Sequence, residues 1–128
     1  MNLNYISSQI IQAAITVHKA LGPGLMESVY QKCMVIELEK MGMNVKSEVE
    51  LPVIYHGMKI TDLGFRIDLL VESEVIVELK SVETIKPVHK KQLLTYLRLA
   101  KKDLGLLINF NEALLKRGIS RITNAPLK

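Results

Sequence analysis

Asp68, Glu78 and Lys80 are the residues whose types and spacing could do chemistry in this chain of 128 residues. Glu78 and Lys80 close the run Val75-Ile-Val-Glu-Leu-Lys80, apolar enough for the middle of a sheet yet ending with an acid and a base on one face. Asp68 lies in the preceding apolar run, Arg66-Ile-Asp-Leu-Leu-Val71. If Glu72-Ser-Glu74 is a hairpin loop, Val71 pairs with Val75, and the same register sets Asp68 opposite Glu78 with Cβ atoms about 4.5–5.5 Å apart. Two carboxylates that close repel each other, and in a half-buried site one is driven towards protonation unless a cation lies between them. Mg2+ or Mn2+, which prefer oxygen ligands and keep positions for water and phosphate oxygens, would resolve the conflict. The register also sets Arg66 opposite Lys80, and it puts Arg66, Asp68 and Leu70 on one face with Ile67, Leu69 and Val71 on the other. A blander reading stays open at this point. The same charges would make surface pairs on a half-exposed sheet, worth roughly 0–1 kcal/mol each, and a one-residue slip would separate the carboxylates onto opposite faces.

Glu27 and Gln92 add to the set. Glu27 heads a stripe of Tyr30, Met34, Leu38 and Met41 at steps of three or four, so an acid leads a helical face that otherwise looks buried. Gln92 falls one helical turn from Val88 and one from Tyr96. Alone, Glu27 is explained by the positive end of a helix and Gln92 as a boundary residue. Tyr30 and Tyr96 stand one turn from Glu27 and Gln92, where a phenol either stacks on a base or packs in the core.

The elements that must position these residues follow from periodicity. Ile6, Ile10, Ala13, Val17 and Leu21 predict a helix over Asn4–Leu21, stopped by Gly22-Pro23. A second helix is expected over Leu25–Met41, with Val29, Cys33 and Ile36 also recurring at helical steps. β-Branched residues then predict strands over Val45–Val49, Pro52–Tyr55 and Met58–Thr61, with a turn at His56-Gly57, and central strands over Gly64–Val71 and Val75–Lys80. Pro87 opens a third helix through Lys102, Leu104–Phe110 is a further buried strand, and Gly118–Thr123 a short edge strand. The order α-α-β-β-β-β-α-β predicts an α/β sandwich of mixed sheet and helices.

Length suits one domain over residues 1–128, and 48% hydrophobic with 23% charged residues suits a folded core. The net charge of +4 permits an anionic partner without requiring one. One cysteine, Cys33, excludes an internal disulfide and a thiolate zinc site and is expected in the core, and His18, His56 and His89 lack ligand spacing. The amino-terminal residues show no basic region ahead of a long apolar core and no run approaches the roughly 20 residues needed to span a membrane. A cytoplasmic protein is expected.

An acid in a helix, then Asp68, then Glu78-Leu79-Lys80, then Gln92 in the following helix resembles the pattern of the PD-(D/E)xK nuclease superfamily. More specifically, Gly24-Leu-Met-Glu27-Ser-Val-Tyr30 resembles the motif of the GxxExxY protein family, a branch of that superfamily. The likeness runs through RIDLLV, VIVELKSVE, PVHKKQLLTYL and GLLINF, with Ile67 where the superfamily name has proline, which is not a ligand. It implies a restriction-endonuclease-like α-β-β-β-α-β core with an extra amino-terminal helix, and a Mg2+- or Mn2+-dependent hydrolase cutting phosphodiester bonds of nucleic acid, DNA in the first instance. In that likeness Asp68, Glu78 and the backbone carbonyl of Leu79 hold the metal, and Glu27 reaches it through water or binds a second ion. Lys80 positions the attacking water and Gln92 orients the assembly, while Tyr30 and Tyr96 are candidate substrate contacts. A second subunit would help so small a core grip a duplex. The alternative is a binding module for nucleic acid or protein that keeps the fold without turnover.

Overall fold

A computed structural model describes residues 1–60 and 65–124, so the strand limits expected at Thr61 and Gly64 lie outside the described residues. Helix α1 (Leu3–Leu21) begins where the Asn2 side chain accepts the N–H groups of Asn4 and Tyr5, and ends at Gly22, whose φ of 71° suits a residue without Cβ. Its buried face is Ile6, Ile10, Ala13, Ala14 and Val17. Helix α2 (Glu27–Lys40) buries Tyr30, Met34 and Leu38. Of the stripe through Val29, Cys33 and Ile36, only the partly buried Cys33 packs against the core, and Val29 and Ile36 are exposed. Apolar residues lie on both sides of this helix, and the side carrying Tyr30 and Met34 is the one that meets the sheet.

In chain order the strands are β1 (Val45–Leu51), β2 (Ile54–Tyr55), β3 (Met58–Lys59), β4 (Phe65–Val71), β5 (Val75–Lys80), β6 (Leu104–Asn109) and β7 (Ile119–Thr123), with α3 (Pro87–Ala100) between β5 and β6. Five of them form a mixed sheet ordered β1-β4-β5-β6-β7, in which β5 and β6 are parallel and the other neighbours antiparallel. The crossover through α3 is what a parallel pair requires. β2 and β3 make a separate hairpin around His56-Gly57 rather than lengthening the sheet. Ile54, Tyr55 and Met58 are exposed there, so β-branched composition marked strands without marking a core face.

Helices α1 and α2 cover one face of the sheet, packing on Val75, Val77, Leu79, Leu106 and Ile108. Helix α3 covers the other, where Leu93, Tyr96 and Leu97 pack with Ile76 and Leu107. β5 is therefore buried on both sides, and each of its apolar side chains contributes about 1.5–3 kcal/mol by leaving water.

β4 departs from the alternation expected of it. Leu69 and Val71 face α1 and α2, whereas Ile67, two residues away, packs on the α3 side. β1 changes sides at the same level, with Val45 in the first core and Val49 and Leu51 in the second. Pairing runs Val45↔Val71 to Ser47↔Leu69 and resumes at Val49↔Ile67 in unchanged register, so the pair left out is Glu48 with Asp68. Both strands turn over where Asp68 sits.

Candidate active site

The expected loop holds the β4–β5 register. Glu72 and Ser73 both have φ of 55°, and the pairs are Val71↔Val75, Leu70↔Ile76 and Leu69↔Val77. Beyond Leu69 the ladder stops. Arg66, expected opposite Lys80, pairs instead with Glu50 of β1, and Lys80 pairs with Asn109 of β6. The reason is the twist at Asp68, which carries the start of β4 away from the end of β5.

Asp68 and Glu78 do meet, and they meet by replacing the ladder. The Asp68 N–H donates to Glu78 Oε2 at 2.8 Å, and the Leu79 N–H donates to Asp68 Oδ2 at 2.8 Å. Each carboxylate thus accepts a backbone proton from the other's strand, which fixes both side chains and leaves one oxygen of each outside these two bonds. Because N–H and C=O of one strand residue address the same neighbour, the Leu79 carbonyl also points towards β4, at a level the ladder does not reach.

Burial governs the electrostatics. Glu78 is 5% exposed, and burial followed by the neighbouring Asp68 charge pushes its carboxyl up to about 8, against weaker lowering by the Asp68 N–H and by Lys80. Asp68, half-buried, is raised chiefly by burial, against lowering by the Leu79 N–H and Lys80. Alone, the pair keeps a proton at neutral pH. The half-buried Lys80 lies near enough to favour both anions, and among the described residues no ion pair within 4.0 Å neutralises it.

Glu27 reaches this end of the sheet from α2. Its Oε2 accepts the Ser81 N–H at 3.3 Å, while the Ser81 hydroxyl donates to the Leu25 carbonyl at 2.6 Å, docking the start of α2 on the exit of β5. Glu27 remains exposed and borders an open cavity of about 500 Å³ that Ser28, Ser81 and Asn111 also line. Its charge adds to the raising of Asp68.

The two tyrosines separate. Tyr96, on α3, is 5% exposed and packs on Phe65, and its hydroxyl is raised by burial and then by the charges of Glu78 and Asp68. Tyr30 belongs to the core: it is fully buried, stacks on Phe110 at 4.4 Å, donates to the Gly22 carbonyl at 2.6 Å and accepts the Leu25 N–H at 3.1 Å. Ring and hydroxyl are thus both engaged within the fold. Gln92 lies on the exposed side of α3, one turn before Tyr96, and among the described residues no hydrogen bond joins it to the carboxylates.

A family model for the PD-(D/E)XK nuclease superfamily matches residues 4–122. The chain belongs to the PD-(D/E)XK nuclease superfamily. Searches of curated proteins and of solved structures return no match. The mixed sheet between α1–α2 and α3 is the restriction-endonuclease-like fold of that superfamily. Among the described residues no helix is long and apolar enough to cross a membrane.

PD-(D/E)XK nucleases generally use divalent metals, and the oxygens here fit one. Burial and mutual repulsion raise both carboxyls, a conflict that a cation would relieve, each has an oxygen outside the two backbone bonds, and the Leu79 carbonyl points towards the same strand. Among the described residues no group of three or more His, Cys, Asp or Glu could hold an ion by itself. Two acids, a carbonyl and solvent oxygens make a hard, open donor set, the kind that suits Mg2+ or Mn2+.

Three residues of this PD-(D/E)XK nuclease domain escaped the sequence reading. Ser81 joins Glu27 and Leu25 to β5, and nothing in its type announced that. Asn109 is fully buried, accepts the N–H groups of Val82 and Asn111, and donates to the Val82 carbonyl at 2.9 Å, clamping the chain just past Lys80. A lone asparagine ending the apolar run Leu104-Gly-Leu-Leu-Ile-Asn109 was its signal. Glu48 carried no signal, because its importance lies in its backbone.

Proposed function

We propose that the protein is a Mg2+- or Mn2+-dependent nuclease that hydrolyses phosphodiester bonds of DNA, within the GxxExxY branch of the superfamily. The observation that carries this reading is the reciprocal Asp68–Glu78 pair at the point where β4 parts from β5, with Lys80 unneutralised two residues along. Asp68, Glu78 and the Leu79 carbonyl are the residues that would hold the cation, with Glu27 reaching it through water or serving a second ion. The bound cation supplies Lewis acidity at the scissile phosphate and makes water a stronger acid. Lys80 orients the attacking water and meets the negative charge that grows on the phosphate. Gln92 orients that group from α3, and Tyr96 on the same helix is a candidate substrate contact. The branch motif supports the reading: Gly24, at φ 98°, turns the corner, Glu27 presents its acid to the site, and Tyr30 pins the corner to Phe110. The proposed domain spans residues 1–128, and a second subunit would help such a core grip a duplex.

A panel of single- and double-stranded DNA and RNA, incubated with purified protein in Mn2+, Mg2+ or EDTA, tests the reading. Metal-dependent cleavage of DNA is expected, with Asp68→Ala and Lys80→Ala each reducing the rate by about 1,000-fold or more. Cleavage unchanged in both variants would identify a contaminant. Binding of nucleic acid that persists in EDTA and in Glu78→Gln, without cleavage by the parent, would make the protein a binding module instead.

A further inference from the structure

Glu48 lies across from Asp68 on β1, and it is the single residue of that strand with a left-handed backbone, φ 53°. Such a conformation is uncommon outside glycine, asparagine and aspartate, and a glutamate in the body of a strand has no local reason to adopt it. Its consequences are confined to one level of the sheet. Pairing of β1 with β4 is intact at Ser47↔Leu69 and Val49↔Ile67 and is missing between them.

Residues of an antiparallel strand alternate in the neighbour their N–H addresses. Glu72, four residues from Asp68, donates its N–H to Asn44, and Leu70 pairs with Lys46, so even-numbered residues of this stretch look towards β1. Asp68 should donate to Glu48. It donates to Glu78 on the other side. The interrupted pair thus releases the Asp68 N–H for Glu78, frees the Asp68 side chain to accept the Leu79 N–H, and turns Ile67 to the α3 face.

We propose that Glu48 is a positioning residue for this site, its left-handed backbone holding the β1–β4 ladder open so that Asp68 faces β5. The proposal rests on the reading of Asp68 and Glu78 as the reactive pair. Glu48 itself is exposed, so its side chain can be changed without opening the core. The role falls on φ, while the Glu48 charge adds separately to the raising of Asp68 and Glu78; the distortion is of the kind that re-aims a side chain beside a site.

Two substitutions separate backbone from charge. Glu48→Gly accepts φ 53° freely, whereas Glu48→Ile resists it and favours a regular strand. Glu48→Gly is expected to retain kcat within about 3-fold, and Glu48→Ile to lower kcat by about 100-fold with KM changed less than about 3-fold, the loss typical of a small misplacement of reacting groups. Thermal unfolding of Glu48→Ile should show a Tm no lower than that of the parent, because a ladder pair has been restored. Without nucleic acid, the Asp68 amide resonance should move on Glu78→Gln in the parent and in Glu48→Gly, and stay still in Glu48→Ile. That resonance needs no turnover, so it reports on Glu48 even if the parent does not cleave. Parent-like kcat and a responsive Asp68 amide in Glu48→Ile, or equal damage in both variants, would overturn the proposal.

Discussion

The two ends of the β4–β5 hairpin are built from the same pair of strands and do opposite things. At the turn, Val71, Leu69, Val75 and Val77 are fully buried, and backbone pairs with backbone. At the far end the ladder gives way, and Asp68 and Glu78 supply the acceptors that a neighbouring strand would have supplied. The closed end makes the open end possible. Two carboxylates can be kept in a buried, mutually repulsive place only if the frame around them has stability to spare, because burial is the largest cause raising each. The sheet surrenders little backbone bonding in return, since Asp68 and Leu79 keep an acceptor for their N–H groups.

The largest effect on folding should come from breaking the closed end. Leu69 is fully buried between the sheet and α1–α2, so Leu69→Ala removes transfer energy and leaves a cavity, costing about 3 kcal/mol. Urea unfolding measures that cost. The metal dependence of cleavage per folded molecule should not change, because Leu69 packs in the core under α1 and α2. A shift in metal dependence would mean that the two ends are not separable.

A smaller effect, opposite in sign, is expected at the open end. An unfolded glutamate ionises near 4.5, while Glu78 in the fold holds its proton up to about 8. Between those values the unfolded state releases a proton that the native state keeps, so stability, full below pH 4.5, falls as pH rises through the window. Asp68 shifts the same way and adds to the slope. Glu78→Gln keeps an oxygen for the Asp68 N–H but cannot ionise. In EDTA at pH 8 it should therefore be more stable than the parent, and the two should converge near pH 4. Mn2+ should raise the Tm of the parent most at and above pH 8, where the pair is ready to lose its proton, and should leave Glu78→Gln nearly unmoved. A parent whose Tm rises with pH in EDTA would contradict the repulsive pair.

What the sequence made legible, and what it hid, divides along the same line. Periodicity located the helices, and Val75–Lys80 is the strand expected, because a run buried on both faces leaves little choice. The loop Glu72-Ser-Glu74 was enough to set the register of the closed end. It was not enough for the open end, where alternation placed Ile67 with Leu69 and set Arg66 against Lys80. Both failed because Glu48 takes a backbone angle that its side chain does not announce. The depth of the motif tyrosine was hidden for another reason: Tyr30 lies one turn from Glu27 on the helix, but a residue one turn along can sit a full layer deeper.

The smallest prediction sets Tyr30 against Tyr96, since both could be drawn beside the site from sequence and only one lies there. Tyr30→Phe leaves the Gly22 carbonyl and the Leu25 N–H without their shared partner and should cost about 1 kcal/mol. The corner at Gly24 would still be stacked on Phe110 through the ring, so kcat should stay within about 2-fold of the parent. Tyr96→Phe keeps the ring against Phe65 and should cost less than about 0.5 kcal/mol. Its hydroxyl, however, is the polar group of α3 that feels both carboxylates. Removing it takes a dipole from beside the pair, and a drop in kcat of about 3–10-fold at constant Tm is the expected signature. Measuring both quantities in both variants gives a crossed result if the open end alone is the site. Parallel losses in the two variants would place the working surface on both faces of the sheet, and the contrast between the ends of the hairpin would no longer describe where the chemistry is done.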